Sequence, residues 1–415
     1  SATAAVKNTK ATAAPKTSVK PSKSAAPKSS SEPKTSQTPK PSSEPKASQT
    51  PKASPTTSPA PDAPPALNAG AAIVIDANSG DTVYSAEPDK KMYTAGLSNI
   101  MTAIIALENA KLADECTVTD NTLADVTYNQ PQLGMKVGEV YTIEQLLYAI
   151  LLNSDNDAAN LIAETVGGSR DAFVQKMNEK ASELGMKNTH FANPSGLQNE
   201  EHYSTAHDLA LLARYAMKNA TFSQIVSSQT YVFPPTSMRS SQKKILSTNH
   251  LVSRYKYPYH YYKYANGVKS ANSENAGYCL IASAKKGDMS LISVVLDCPN
   301  ADVNEKAYSF KDTTALLEYV FTNYQSVQLA KKGDVIYDSK VAESKNSTRL
   351  ALTVSEDIYV ILKNSDDSSK ITNDVQLSKK IKAPIHQGDN FGTVTYKYGE
   401  KTLKTVDLVA ANDVQ

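Results

Sequence analysis

The 415 residues suffice for two or three domains, but the net charge of +2 is unevenly spread. Residues 1–60 hold ten Lys against two Glu, a tail of +8 that leaves −6 for residues 61–415. A mildly acidic body disfavours nucleic-acid binding, which needs a concentrated basic face; no apolar stretch reaches the roughly 18 residues that cross a bilayer.

The sequence begins neither with Met nor with a charged-then-apolar leader, so any export signal is expected to lie outside it. Residues 1–66 are Ser, Thr, Ala, Pro and Lys with little to bury, and are expected to stay disordered. An eleven-residue unit recurs there, Ser30-Ser-Glu-Pro-Lys-Thr-Ser-Gln-Thr-Pro-Lys40 and Ser42-Ser-Glu-Pro-Lys-Ala-Ser-Gln-Thr-Pro-Lys52. Pro stiffens it and Lys extends it. It reads as a spacer, either inert or a tether that crosses or adheres to an anionic polymer such as a cell wall.

Order is expected from Leu67. Ala71-Ala-Ile-Val-Ile-Asp76, Asn78-Ser-Gly-Asp81 and Thr82-Val-Tyr84 predict a strand, a tight turn and a returning strand. Leu97, Ile100, Met101, Ile104 and Ile105 have helical spacing. Helices are predicted over 143–152, 158–165, 172–184 and 205–218, the last with Ser204 as N-cap. Strands follow from about Tyr264, over 277–284 and 291–296, and a helix over 307–324 closes the block. Beyond residue 326, short runs at 334–337, 349–353, 358–362, 374–377, 392–398 and 405–408 alternate with turn residues, which predicts a separate all-β sandwich. The expected domains are therefore 1–66, 67–325 and 326–415.

Cys116, Cys279 and Cys298 show no C-x-x-C spacing, so they are expected to be small buried apolar side chains. The six histidines show no metal-ligand spacing, and structural roles are expected for His190 and His207. Tyr255-Lys-Tyr-Pro-Tyr-His-Tyr-Tyr-Lys-Tyr264 is unusually aromatic; sugar stacking, an interaction loop and ordinary packing all remain open for it.

Three segments carry hydroxyl, amide and amine groups: Tyr93-Thr-Ala-Gly-Leu-Ser-Asn-Ile-Met-Thr-Ala103, Leu152-Asn-Ser-Asp-Asn-Asp-Ala158 and Asn266-Gly-Val-Lys-Ser-Ala271. With Met186–Leu197, His202–Ala206, Ala276–Lys285 and Ile381–Gly388, they resemble in order and spacing the serine D-alanyl-D-alanine carboxypeptidases, the low-molecular-weight penicillin-binding proteins. The resemblance runs from about Gly70 to Asp413. It implies an α/β (α+β) penicillin-binding, β-lactamase-like transpeptidase fold, an antiparallel sheet flanked by helices, followed by the sandwich. It further implies peptidoglycan stem peptides ending in D-Ala-D-Ala as ligand, or another cell-wall enzyme as partner, with no cofactor, metal or nucleic acid. The implied location is extracytoplasmic, at the wall or the outer face of the cytoplasmic membrane.

In such a site Ser and Lys at i and i+3 share a helix face, where an unprotonated Lys takes the Ser proton. The resemblance places the nucleophile on Gly96 and the base on Asn99. Glycine cannot form an acyl-enzyme, and Asn is no base near neutral pH. Ser154 and Asn156 match the second motif, in which Ser relays protons and Asn holds the substrate amide. Lys269 and Ser270 match the strand motif that draws the ligand's carboxylate, with Asn272 beyond them, but Ala271 stands where a glycine is expected. Ser98 lies about 200° around the helix from Gly96 and should point away. Other Ser-x-x-Lys matches, such as Ser240–Lys243 and Ser253–Lys256, fall in loops. Read without the resemblance, Ser154-Asp-Asn156 is an N-cap and Lys269 a solvated strand residue. The favoured expectation is a catalytically impaired homologue that binds wall peptide or a partner; the alternatives are an active carboxypeptidase and a purely structural wall protein.

Overall fold

The structure is a computed structural model that describes residues 63–300, 307–345 and 349–415; the spacer expected over 1–66 lies outside them up to residue 62. β1 (Ala71–Asp76) and β2 (Thr82–Ala86) form the expected hairpin. The Asp76 carboxylate accepts the Asn78 and Ser79 amides at 3.3 and 3.1 Å, which closes the turn.

A 3-10 turn, Ala95–Ser98, leads into α1 (Asn99–Asn109), whose first eight residues are buried. Then come β3 (Glu115–Thr117), α2 (Asp120–Leu123), β4 (Val140–Thr142), α3 (Ile143–Tyr148), α4 (Asn156–Gly167), α5 (Arg170–Glu183), α6 (Ala206–Met217) and α7 (Ala220–Ser227). A hairpin of β5 (Thr230–Phe233) and β6 (Lys243–Leu246) precedes the long antiparallel strands β7 (Ala265–Ser273), β8 (Gly277–Lys286) and β9 (Met289–Cys298), and α8 (Tyr308–Asn323) closes the block.

The main sheet has the order β2-β1-β9-β8-β7, antiparallel throughout, with β7 on the edge. Successive side chains of β1 feed opposite faces. Ile73 and Ile75 join Ile100, Leu161 and Leu209 in the helical core, while Ala72 and Val74 pack with Leu316, Leu317 and Val320 of α8. Burial on both faces explains why β1 reads as an unbroken apolar run. The body is thus an α/β layered fold whose free sheet edge borders the helical lobe.

The chain continues into β10 (Tyr324–Ala330), β11 (Val335–Lys340), β12 (Arg349–Thr353), β13 (Ile358–Lys363), β14 (Ile371–Leu377), β15 (Asn390–Tyr398) and β16 (Lys401–Ala410). β10 and β13 pair, and a five-stranded sheet runs β11-β12-β16-β15-β14. A separate apolar cluster including Leu350, Ile358, Phe391 and Leu408 makes this all-β domain a unit with its own core.

Three details depart from the sequence expectations. Thr205, not Ser204, caps α6, its hydroxyl accepting the Asp208 amide. The helix expected over 143–152 breaks after Tyr148 into a π turn, Ala149–Asn153. Helix α7, at eight residues, and the β5–β6 hairpin, at four residues a strand, are too short to stand out. Cys116, Cys279 and Cys298 are free and buried, and no helix among the described residues is long and apolar enough to cross a membrane.

Candidate functional site

A cleft of about 540 Å³ lies where the 3-10 turn, the π turn and the β7 edge converge. Gly96, Ser154, Asn156, Ser270, Ala271 and Asn272 all line it. The residues singled out from sequence therefore meet in one place, although they come from segments more than 170 positions apart.

A Cβ built on Gly96 would lie 2.9 Å from Ser154 Oγ, 3.1 Å from Ser154 Cβ and 3.4 Å from Asn99 Nδ2. A side chain at position 96 would thus enter the middle of the cleft's polar groups, and Ser154 has closed over the space. Asn99 is fully buried behind it; its Nδ2 donates to the Ile150 carbonyl at 3.4 Å and its Oδ1 has no hydrogen-bond partner. Ser98 is buried on the opposite side, its hydroxyl 2.6 Å from His202 Nε2, so it offers the cleft no nucleophile.

Ser154 ends the π turn in the left-handed region, φ 62°, and opens α4. Asp155 at the N-cap makes no side-chain capping bond, so the plain N-cap explanation of this segment fails. Instead Ser154 Oγ faces Lys269 Nζ at 2.7 Å. Lys269 is fully buried rather than solvated, and also donates to the carbonyls of Ile150 at 2.7 Å and Leu151 at 3.3 Å. An ammonium would spend its three protons on these partners. A neutral amine would keep both carbonyl bonds and turn its lone pair to the Ser154 hydroxyl. Burial pulls the Lys269 amine down to about 7, with Asp155 opposing. Burial likewise pushes the Asp155 carboxyl up to about 7, aided by the Asp157 charge and opposed by the Asn153 bond. Both protonation forms are therefore accessible near neutral pH.

Lys269 stands behind the cleft wall, and the ligand-facing groups are Ser154 and the β7 edge. Ser270 Oγ donates to the Thr248 carbonyl at 2.7 Å, which ties the edge to the preceding loop. Ala271 is half-buried and pairs with Cys279. Its backbone is outside the left-handed region, so the methyl adds bulk to the cleft without backbone strain.

Two supporting carboxamide and carboxylate groups were not anticipated from sequence. Asp157 accepts the amides of Leu133, Gly134 and Met135 at 2.9, 2.8 and 3.1 Å, which holds the loop carrying Gln130 near Asn156; the Asn156 amide donates to Gln130 Oε1 at 3.5 Å. Asn193 accepts the amides of Gly196 and Leu197 at 2.8 and 3.0 Å. A Cβ on Gly196 would stand 2.0 Å from the Ala95 carbonyl oxygen, so only glycine lets this loop press on the turn. The Asn-Pro-Ser-Gly tetrapeptide is a turn signal that marks this contact in the sequence. Asp157 reads only as a favourable charge in the first turn of a helix.

The D-alanyl-D-alanine carboxypeptidase profile matches residues 57–300, and the penicillin-binding protein 5 C-terminal domain profile matches residues 324–415. D-alanyl-D-alanine carboxypeptidase DacF of Bacillus subtilis is 29% identical over 84% of this chain and 86% of its own length. DacA of Escherichia coli is 27% identical, covering 84% of each. Penicillin-binding protein 5 of Haemophilus influenzae superposes with TM-score 0.72 over 85% of this chain and 99% of its own, at 24% identity, a likeness of fold. The Streptomyces K15 DD-transpeptidase superposes with TM-score 0.56 at 30% identity, over 62% of this chain and 99% of its own. With more than half its length matched, and with the matched residues building the cleft described above, the chain belongs to the D-alanyl-D-alanine carboxypeptidase family.

Proposed function

We propose that this chain recognises the D-Ala-D-Ala end of peptidoglycan stem peptides, or a partner wall enzyme through the same cleft, without hydrolysing it, outside the cytoplasm. The observation that carries this reading is the bare position 96, where any side chain would meet Ser154 Oγ at 2.9 Å and where glycine supplies no nucleophile. Asn99 removes the adjacent base as well. In a serine hydrolase of another kind, losing the nucleophile alone lowers kcat by about 10⁶. The recognition groups remain. The β7 edge offers main-chain hydrogen bonds to an extended peptide, Ser154 and Asn156 offer a hydroxyl and an amide, and Lys269 supplies positive potential through Ser154.

Co-sedimentation with purified peptidoglycan tests the reading. The unmodified chain is expected to pellet, and Lys269→Met, which keeps volume and removes the amine, to weaken binding by roughly tenfold or more, the effect of about 1.4 kcal/mol. Indifference of binding to Lys269→Met in a folded protein would overturn it.

A residual hydrolase is the second reading, favoured by the Ser154–Lys269 contact of 2.7 Å. It requires release of terminal D-alanine from a pentapeptide, with loss of that activity in Ser154→Ala; absence of release leaves recognition as the function.

A further inference from the structure

The tyrosine-rich segment before β7 is a braced platform. Four rings stack beneath it: His250 on Tyr257 with centroids 3.5 Å apart, His250 on Phe310 at 4.6 Å, and His260 on Phe310 at 5.1 Å. The two histidines meet through their Nδ1 atoms at 3.0 Å. Phe310 belongs to α8, so the loop is clamped to a core helix. With Tyr257 and Tyr262 turned inward, Tyr255 and Tyr259 project, 85% and 92% exposed.

Arg254, Lys256 and Lys263 are exposed along the same segment, the last two with their ammonium groups over the rings of Tyr257 and Tyr264 at 5.1 and 4.8 Å, and residues 249–264 contain no acidic side chain. On a body of net charge −6 this is a local concentration of positive charge. Cations interleaved with free aromatic faces complement a linear polymer of alternating phosphates and hydroxylated rings. A bilayer fits less well, because the only large hydrophobics this segment exposes are tyrosines, with no aliphatic, Phe or Trp anchor to enter the hydrocarbon.

We propose that residues 254–263 form a docking surface for a phosphodiester-linked, sugar-bearing polyanion of the kind that surrounds a cell. Contacts with the three cations displace counterions, and Tyr255 and Tyr259 stack on the sugar or polyol units between phosphates. The surface acts independently of the cleft, and positions the body on the polymer while the cleft engages peptide.

The test uses the full chain and glycosylated poly(glycerol phosphate) as probe, with dextran and phosphatidylglycerol vesicles as parallel arms. Because the tail also carries +8, the readout is the difference between variants that share it. Three phosphate contacts give a log–log salt slope of about −2, roughly a 15-fold loss between 50 and 200 mM salt. The triple variant Arg254→Gln, Lys256→Gln, Lys263→Gln is expected to remove that increment of slope. Tyr255→Ala with Tyr259→Ala is expected to weaken binding about tenfold with the slope intact. Both leave the four-ring stack untouched, and near-ultraviolet circular dichroism checks that it persists. Unchanged polymer binding in both variants, equal binding to dextran, or preferential loss of vesicle binding would overturn the proposal. Lys269→Met serves as the control that separates this surface from the cleft, since it is expected to leave polymer binding unaltered.

Discussion

Restoring a hydroxyl and an amine to the turn is the most demanding test of the cleft, and the geometry sets its size. Gly96 is outside the left-handed region, so the backbone accepts Ser there. The obstacle is local: the new Cβ would sit 2.9 Å from Ser154 Oγ and 3.1 Å from Ser154 Cβ. Turning the Ser154 hydroxyl relieves the Oγ contact, whereas the Cβ contact requires the backbone of one turn to give by a few tenths of an ångström. Asn99→Lys places a second amine in a fully buried position beside Lys269. Desolvation and the neighbouring charge both favour its neutral form, which is the form a general base requires. General-base assistance contributes about 10²–10⁴ in rate. Gly96→Ser alone is therefore expected to react slowly with a fluorescent penicillin, Asn99→Lys alone not at all, and the double variant at least about a hundredfold faster than Gly96→Ser. Ala271 limits the ceiling, and adding Ala271→Gly should raise it. Intact-mass measurement and peptide mapping should place the adduct on residue 96. A folded double variant that stays unlabelled would refute the claim that the cleft is otherwise competent; labelling of the unmodified chain would refute the claim that it is impaired.

Two further outcomes concern the scaffold. Asp157→Ala leaves three amides without their charged acceptor and is expected to destabilise the body by about 4 kcal/mol in urea unfolding, with loss of peptide binding as the 129–135 loop loosens. His202 is held neutral, its ring pulled down to about 4 by burial. Its Nδ1 accepts the Ala192 amide at 3.2 Å, a bond that protonation destroys. Its contribution is fully present above about pH 6.5 and is lost as pH falls toward 4, at most about 3 kcal/mol. Histidine-selective NMR should show the low titration, and His202→Asn should flatten the stability difference between pH 7 and pH 4.

The body's strands and long helices were legible because burial marks them, as an unbroken apolar run in Ala71–Asp76 and as a helical period from Leu97 to Ile105. The site was legible through hydroxyl, amide and amine groups spaced as in a known family. Three things were not readable. Lys269 looks like any strand lysine, and only the pairing of β7 with β8 and the π turn behind it show that it is buried. Asp157 acts on amides more than twenty residues upstream, a contact with no local signature. The break after Tyr148 depends on tertiary bonds, among them the Lys269 contacts with the carbonyls of Ile150 and Leu151.

The backbone of the turn bears on whether the cleft is more than a relic in a structural wall protein. Ala95 has φ 45° and Ser154 φ 62°, and such non-glycine conformations cost of order 1–3 kcal/mol each. The glycine that would relieve the first stands one position later, at 96, where the backbone makes no such demand. The strain at Ala95 is sustained by the Asn193–Leu197 loop, whose Gly196 packs directly on the Ala95 carbonyl. A buried lysine, a buried carboxyl without a partner on one oxygen and an orphaned Asn99 acceptor lie around the same point. Packing alone would favour none of these groups, since each lowers the stability of the body. Their concentration around one accessible cleft is what the proposed ligand recognition predicts.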